Sequence, residues 1–169
     1  METSPEIQLG YLLRQRGWKL ATAESCTGGL IGHRITDIPG SSDYYLGGVV
    51  AYAYEAKVAV LGVSWDTLQK HGAVSRETVL EMARGVRTLL GADIAISVSG
   101  IAGPGGATPD KPVGTTWFGL STAQGEWARV HRFPGNRTHN KADAAQTALQ
   151  FLLEALMDFH PLDGDDRSL

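Results

Sequence analysis

Ser25 and Lys57 each stand where an extended stretch gives way to a helical one, and their types suit a nucleophile and its base. Ser25 lies in AESCTGG, residues 23–29. The first N–H groups of a helix lack intrahelical partners, and the dipole makes that end attractive to negative charge. The amides of Thr27, Gly28 and Gly29 can meet an oxyanion there, and the glycines let a substrate approach the backbone. The same heptapeptide also reads as an ordinary helix cap followed by a turn. Lys57 closes VVAYAYEAK, residues 49–57. In the first turn of a helix, beside an apolar strand, both the dipole and desolvation disfavour its ammonium form. A lysine neutral near pH 7 is a competent base for a hydroxyl. The alternative is a solvated lysine on a short amphipathic helix. Tyr52 is either a phenol bridging the two groups or an aromatic of the core.

Two further stretches carry candidate chemistry. SVSGIAGPGGATPDKP, residues 97–112, puts glycine and proline directly after a buried strand, with Ser99 and Gly100 at the junction. This is how an α/β fold builds a crevice at the carboxyl ends of its strands, though a surface loop reads the same way. Arg129, His131, Arg132, Arg137, His139 and Lys141 form a basic cluster. Arg137, at the mouth of the last helix, can share a phosphate with the helix amides; a solvated basic face is the other reading. There is no phosphate loop, dinucleotide fingerprint, nucleophile elbow or S-x-x-K, and the five histidines lack metal-ligand spacing.

These groups need a scaffold, and the pattern supplies one. Helices are expected at residues 5–16, where Ile7, Leu9, Leu12 and Leu13 recur, and at 28–36, 55–61 and 64–70. Another follows Ser75 to Leu90, with Val79, Met82, Val86, Leu89 and Leu90 inward, and a last one covers 137–159. Strands are expected at 18–22, 44–53 and 94–99, and a hairpin at 113–122 and 126–133. The alternation predicts a single-domain α/β protein, a three-layer α/β/α sandwich with a mixed sheet. The domain should span 1–159, with an acidic, disordered tail at 160–169.

The 169 residues are 43% hydrophobic and 20% charged, the composition of a globular protein with a sizeable core. A formal charge of −3 offers no broad field for nucleic acid. The single cysteine, Cys26, excludes an internal disulfide and a cysteine-rich metal site. Neither a secretory signal nor a membrane-length apolar run is present, so the expectation is a cytoplasmic protein that engages no membrane.

Taken in order, AESCTGG, AYAYEAK with VLGV, HGAVS, SGIAGPGG with KPVGT, and PGNR resemble the C-terminal domain of the competence- and damage-inducible protein CinA. The resemblance runs from about residue 8 to residue 156. That domain also occurs alone as nicotinamide mononucleotide deamidase, and without the larger N-terminal domain this chain is similar to that form. The resemblance implies an α/β/α fold and hydrolysis of nicotinamide mononucleotide to nicotinate mononucleotide and ammonia, in pyridine nucleotide recycling. It implies Ser25 as nucleophile, Lys57 as base, Tyr52 as assisting phenol, and Ser99 and Arg137 at the substrate, with no metal or cofactor and with a homodimer. Tyr54 stands where the family has asparagine, removing a small amide beside the site, and Ser99 replaces a threonine while keeping the hydroxyl. Two other readings stay open: a nucleotide-binding regulatory module without turnover, and an amidase for a different carboxamide.

Overall fold

Ile94–Gly100 is buried on both faces because it lies at the centre of the sheet, and the other elements arrange themselves about it. In the computed structural model, which describes residues 3–158, the chain runs α1 (Pro5–Arg16), β1 (Leu20–Glu24), α2 (Leu30–Thr36), β2 (Tyr45–Val50) and α3 (Tyr54–Leu61). It continues through α4 (Trp65–His71), α5 (Arg76–Leu90), β3 (Ile94–Gly100), β4 (Thr115–Thr122), β5 (Gly125–Arg132) and α6 (Arg137–Met157). The sheet order is β2-β1-β3-β4-β5. β1 is parallel to both β2 and β3, whereas β3–β4 and β4–β5 are antiparallel. The sheet is therefore mixed and sandwiched by helices, as expected.

Side-chain size decides how each layer docks. Leu20, Ile94, Ile96 and Val98 face the α1, α2 and α6 layer and pack against Leu9, Leu13, Leu149 and Leu152. Each fully buried Leu or Ile contributes about 1.5–3 kcal/mol. The other face carries Ala21, Ala23 and Ala95, which pack with Met82 and Val86 of α5. Small residues let α5 lie close to the sheet: a Cβ on Gly119 would stand 2.3 Å from the Val79 carbonyl. Among the described residues no helix is long and apolar enough to cross a membrane.

Several boundaries differ from expectation. The first strand begins at Leu20 rather than residue 18, because Gly17 adopts a left-handed conformation and the amide of Trp18 returns to the Leu13 carbonyl to close α1. That end is a Schellman-type cap. The strand consequently runs to Glu24, and Ser25 is the first residue beyond it. Residues 28 and 29 form a turn before α2, and residues 51–53 leave the sheet after Val50. Leu89 is exposed rather than inward, and Ile7, on the periodic stripe of α1, is exposed as well. On α5 the buried stripe passes through Val79, Met82, Ala83 and Val86, and Leu89 falls just outside it. Phe159 and the acidic tail lie outside the described residues.

Candidate active site

β1, β2 and β3 run parallel, so their carboxyl ends share one edge of the sheet, where open α/β sheets hold their ligands. Ser25 follows β1 directly, and its amide continues the ladder to the Val98 carbonyl. Glu24, the residue before it, is buried, and its carboxylate accepts from Thr27 Oγ1 at 2.6 Å and from the amides of Ile31 and Gly32 at 2.8 and 3.0 Å. A carboxylate from the strand therefore occupies the N-terminus of α2. It also locks the turn that carries Ser25.

Lys57 sits in the first turn of α3 with no solvent exposure. Its Nζ lies 2.9 Å from Ser25 Oγ, 2.8 Å from the Ala51 carbonyl and 2.9 Å from the Tyr52 carbonyl. Burial lowers its pKa from 10.5 to about 8, and the neighbouring Cys26 acts in the opposite direction. As an ammonium it donates to all three oxygens. As a neutral amine it donates to the two carbonyls and turns its lone pair to the Ser25 hydroxyl. Cys26, beside Ser25, has its thiol pushed up to about 11 by burial, although the amides of Cys26 and Gly100 are directed at the sulfur. It is therefore a thiol and not a thiolate near neutral pH.

A cleft of about 230 Å³ opens over these groups, lined by Ser25, Cys26, Lys57, Ser99, Tyr52 and Arg137. The loop after β3 and the turn at Ala73 and Val74 complete its lining. Ser99 is 1% exposed and lines the cleft. α6 holds the loop: Arg137 Nη1 donates to the Gly103 carbonyl at 2.8 Å, and buried Asn140 Nδ2 donates to the Ala102 carbonyl at 3.1 Å. Gly103 has φ +88°, and a Cβ there would stand 2.6 Å from Val113, so the loop requires glycine at that point. Arg137 Nη2 donates to Tyr52 Oη at 3.0 Å. No three His, Cys, Asp or Glu side chains among the described residues are grouped to hold a metal ion.

The sequence profile of the CinA C-terminal domain matches residues 2–156. The chain belongs to the CinA C-terminal domain family. A CinA-like protein of Salinibacter ruber is 54% identical over 145 residues, covering 86% of this chain and 35% of that protein. The nicotinamide-nucleotide amidohydrolase PncC of Enterobacter agglomerans is 48% identical over 148 residues, covering 87% of this chain and 90% of that protein. A competence-damaged protein (CinA) superfamily structure from Klebsiella pneumoniae superposes with a TM-score of 0.87 at 40% identity, covering 90% of this chain and 96% of that one. The chain thus spans about a third of the length of the CinA-like relatives it matches, and nearly all of the amidohydrolase.

In this CinA domain the cleft brings together Ser25, Lys57, Tyr52, Ser99, Gly100 and Arg137 of the residues expected from sequence. It does not include Thr27, Gly28 or Gly29. Thr27 is buried and bonded to Glu24, and the Gly28 amide turns inward to the Ser25 carbonyl. Glu24 in addition takes the amides of Ile31 and Gly32 at the start of α2. Cys26 and Gly100 line the cleft, and their amides are directed at the Cys26 sulfur. Tyr52 Oη does not bridge Ser25 and Lys57: those two touch directly, and the phenol bonds Arg137. Sequence reasoning missed Glu24, Asn140 and the Ala73–Val74 turn. Glu24 lies within AESCTGG and Ala73–Val74 within HGAVS, and the asparagine shows as a polar residue on the inner stripe of α6.

Proposed function

We propose that this domain hydrolyses the carboxamide of nicotinamide mononucleotide, giving nicotinate mononucleotide and ammonia through an acyl-enzyme on Ser25. The observation that carries the reading is the 2.9 Å contact between Ser25 Oγ and a wholly buried Lys57 at the floor of an open cleft. A buried lysine with no carboxylate partner among the described residues is costly, and general-base work gives it a reason to be there. The similarity to the PncC amidohydrolase over nearly its whole length supports the substrate class.

The neutral amine of Lys57 takes the Ser25 proton as Oγ bonds to the amide carbon, and the carbonyl oxygen becomes an oxyanion. In this reading the backbone amides of Cys26 and Gly100, two residues that line the cleft, receive it. Collapse breaks the C–N bond, and the Lys57 ammonium gives its proton to the departing nitrogen, which leaves as ammonia. Lys57, neutral again, activates a water that attacks the ester; the proton then passes to Ser25 Oγ as the carboxylate leaves. The hydroxyl of Ser99, which lines the cleft, donates to the substrate. Arg137 anchors the phosphate, which takes no part in bond cleavage but fixes the nucleotide.

Ammonia release from pyridine carboxamides with and without ribose phosphate tests this reading. Turnover of the mononucleotide far above free nicotinamide is the expected pattern. Indifference to the ribose phosphate, or no ammonia from any member of the series, would overturn it.

A further inference from the structure

The turn between α4 and α5 is held far more firmly than a connection requires. Lys111 Nζ, from the loop after β3, donates to the His71 carbonyl at 2.6 Å. Ser75 Oγ and Thr78 Oγ1 donate to the Gly72 carbonyl at 2.9 and 2.7 Å. Tyr54 Oη accepts the Ala73 amide at 3.2 Å. Three separate elements thus fix the backbone of residues 71–73, and the residues that follow from them, Ala73 and Val74, line the cleft over Ser25.

Tyr54 is the tie that connects this turn to the catalytic centre. It is the first residue of α3, three before Lys57 on the same helix. Its ring leans on Trp65 of α4, with centroids 6.5 Å apart and planes inclined by 50°. Tyr54 does not itself line the cleft. Whatever it contributes to substrate fit it contributes through Ala73. The surface it steadies is small and apolar, with Ala73 and Val74 on the α5 side and Ile101 and Ala102 on the loop side. Such surfaces accept a flat aromatic ring and offer no partner to a charged group.

We propose that Tyr54 is a positioning and specificity-determining residue, whose hydroxyl holds the Ala73–Val74 turn as the face against which the substrate's aromatic ring lies. This rests on the proposed amidase reading. A single hydrogen bond of this kind is worth roughly a threefold to tenfold change in an equilibrium.

The test measures kcat and KM of wild type and Tyr54→Phe with nicotinamide mononucleotide. It also titrates that nucleotide into Ser25→Ala and Ser25→Ala/Tyr54→Phe while the Val74 methyl signals are followed by NMR. The expected result is a KM raised about threefold to tenfold in Tyr54→Phe, with kcat within about twofold of wild type. The Val74 methyls should show a ring-current shift on binding, at a Kd weakened by a similar factor in the double variant. Normal turnover with an unchanged KM in Tyr54→Phe, or with no shift at Val74, overturns the role of Tyr54 and leaves the amidase reading standing. A wild type that binds the nucleotide with the Val74 shift, weakened by Tyr54→Phe, but releases no ammonia supports the ring face and overturns the amidase reading.

Discussion

Lys57 Nζ meets Ser25 Oγ directly at 2.9 Å, and the remaining contacts of that nitrogen are the carbonyls of Ala51 and Tyr52. Carbonyls accept and cannot donate, so the only proton Lys57 can receive from these neighbours is that of Ser25. The arrangement makes the lysine a base as soon as it is neutral.

The rate should therefore follow the neutral fraction of Lys57. With a pKa of about 8, kcat/KM should rise about tenfold per pH unit up to pH 8 and level off above it. Lys57→Arg should be as inactive as Lys57→Ala, because arginine keeps the charge and cannot lose its proton near neutral pH. A pH–rate profile flat from 5 to 8, or an active arginine variant, would show that position 57 supplies only charge.

The same shift predicts a stability effect. Burial depresses the folded pKa from 10.5 to about 8, so below pH 8 the folded chain carries the full penalty of a buried ammonium. Between those values the unfolded chain binds more protons, and stability rises with pH. The penalty relieved is about 3 kcal/mol. Denaturant unfolding of wild type and Lys57→Met should show wild type gaining on the variant by about that amount from pH 8 to 10.5. Both proteins should carry Cys26→Ala, because the raised thiol pKa of Cys26 acts in the opposite sense and is coupled to Lys57. A pH-independent difference would mean that Lys57 is not desolvated.

Arg137 has two loads, the Gly103 carbonyl and the Tyr52 hydroxyl, and still faces the cleft. Arg137→Ala should raise KM for the mononucleotide by one to two powers of ten, roughly the worth of a charge-assisted bond. Hydrolysis of free nicotinamide should hardly change. An equal loss with both substrates would assign Arg137 to holding the loop at Gly103 in place of the phosphate.

Glu24 bears on Ser25 through the turn it fixes. In Glu24→Gln one oxygen gives way to an NH2 group that faces backbone or hydroxyl donors, so a buried bond is lost and a donor is opposed. The cost should be about 1–3 kcal/mol, read from denaturant unfolding, with a lower kcat from a looser Ser25. Wild-type stability in this variant would mean that the α2 amides find other acceptors.

The sheet, its order of elements and the Ser25 and Lys57 pair were legible because they rest on local signals: apolar runs, glycine breaks, and polar residues at strand-to-helix junctions. The buried side of α5 was legible through Val86, and Leu89 was misplaced because periodicity alone does not say where the sheet ends above a helix. What escaped depends on pairing across the fold. Nothing in the order of residues says that Glu24 turns back on the amides of Ile31 and Gly32 and so closes the helix start to substrate. Nor does it say that the turn at Ala73 comes under the hydroxyl of Tyr54. Tyr52 was identified as part of the site, but its hydroxyl goes to Arg137, from a segment distant in the chain.

The central claim is that Ser25, and not its neighbour Cys26, carries the acyl group. Ammonia release from nicotinamide mononucleotide by wild type, Ser25→Ala and Cys26→Ala tests it most directly, with nucleotide binding to each variant as the control. The account predicts that Ser25→Ala binds and releases no ammonia, whereas Cys26→Ala keeps most of the wild-type rate. Normal turnover in Ser25→Ala, together with an inactive Cys26→Ala that still binds, would contradict it.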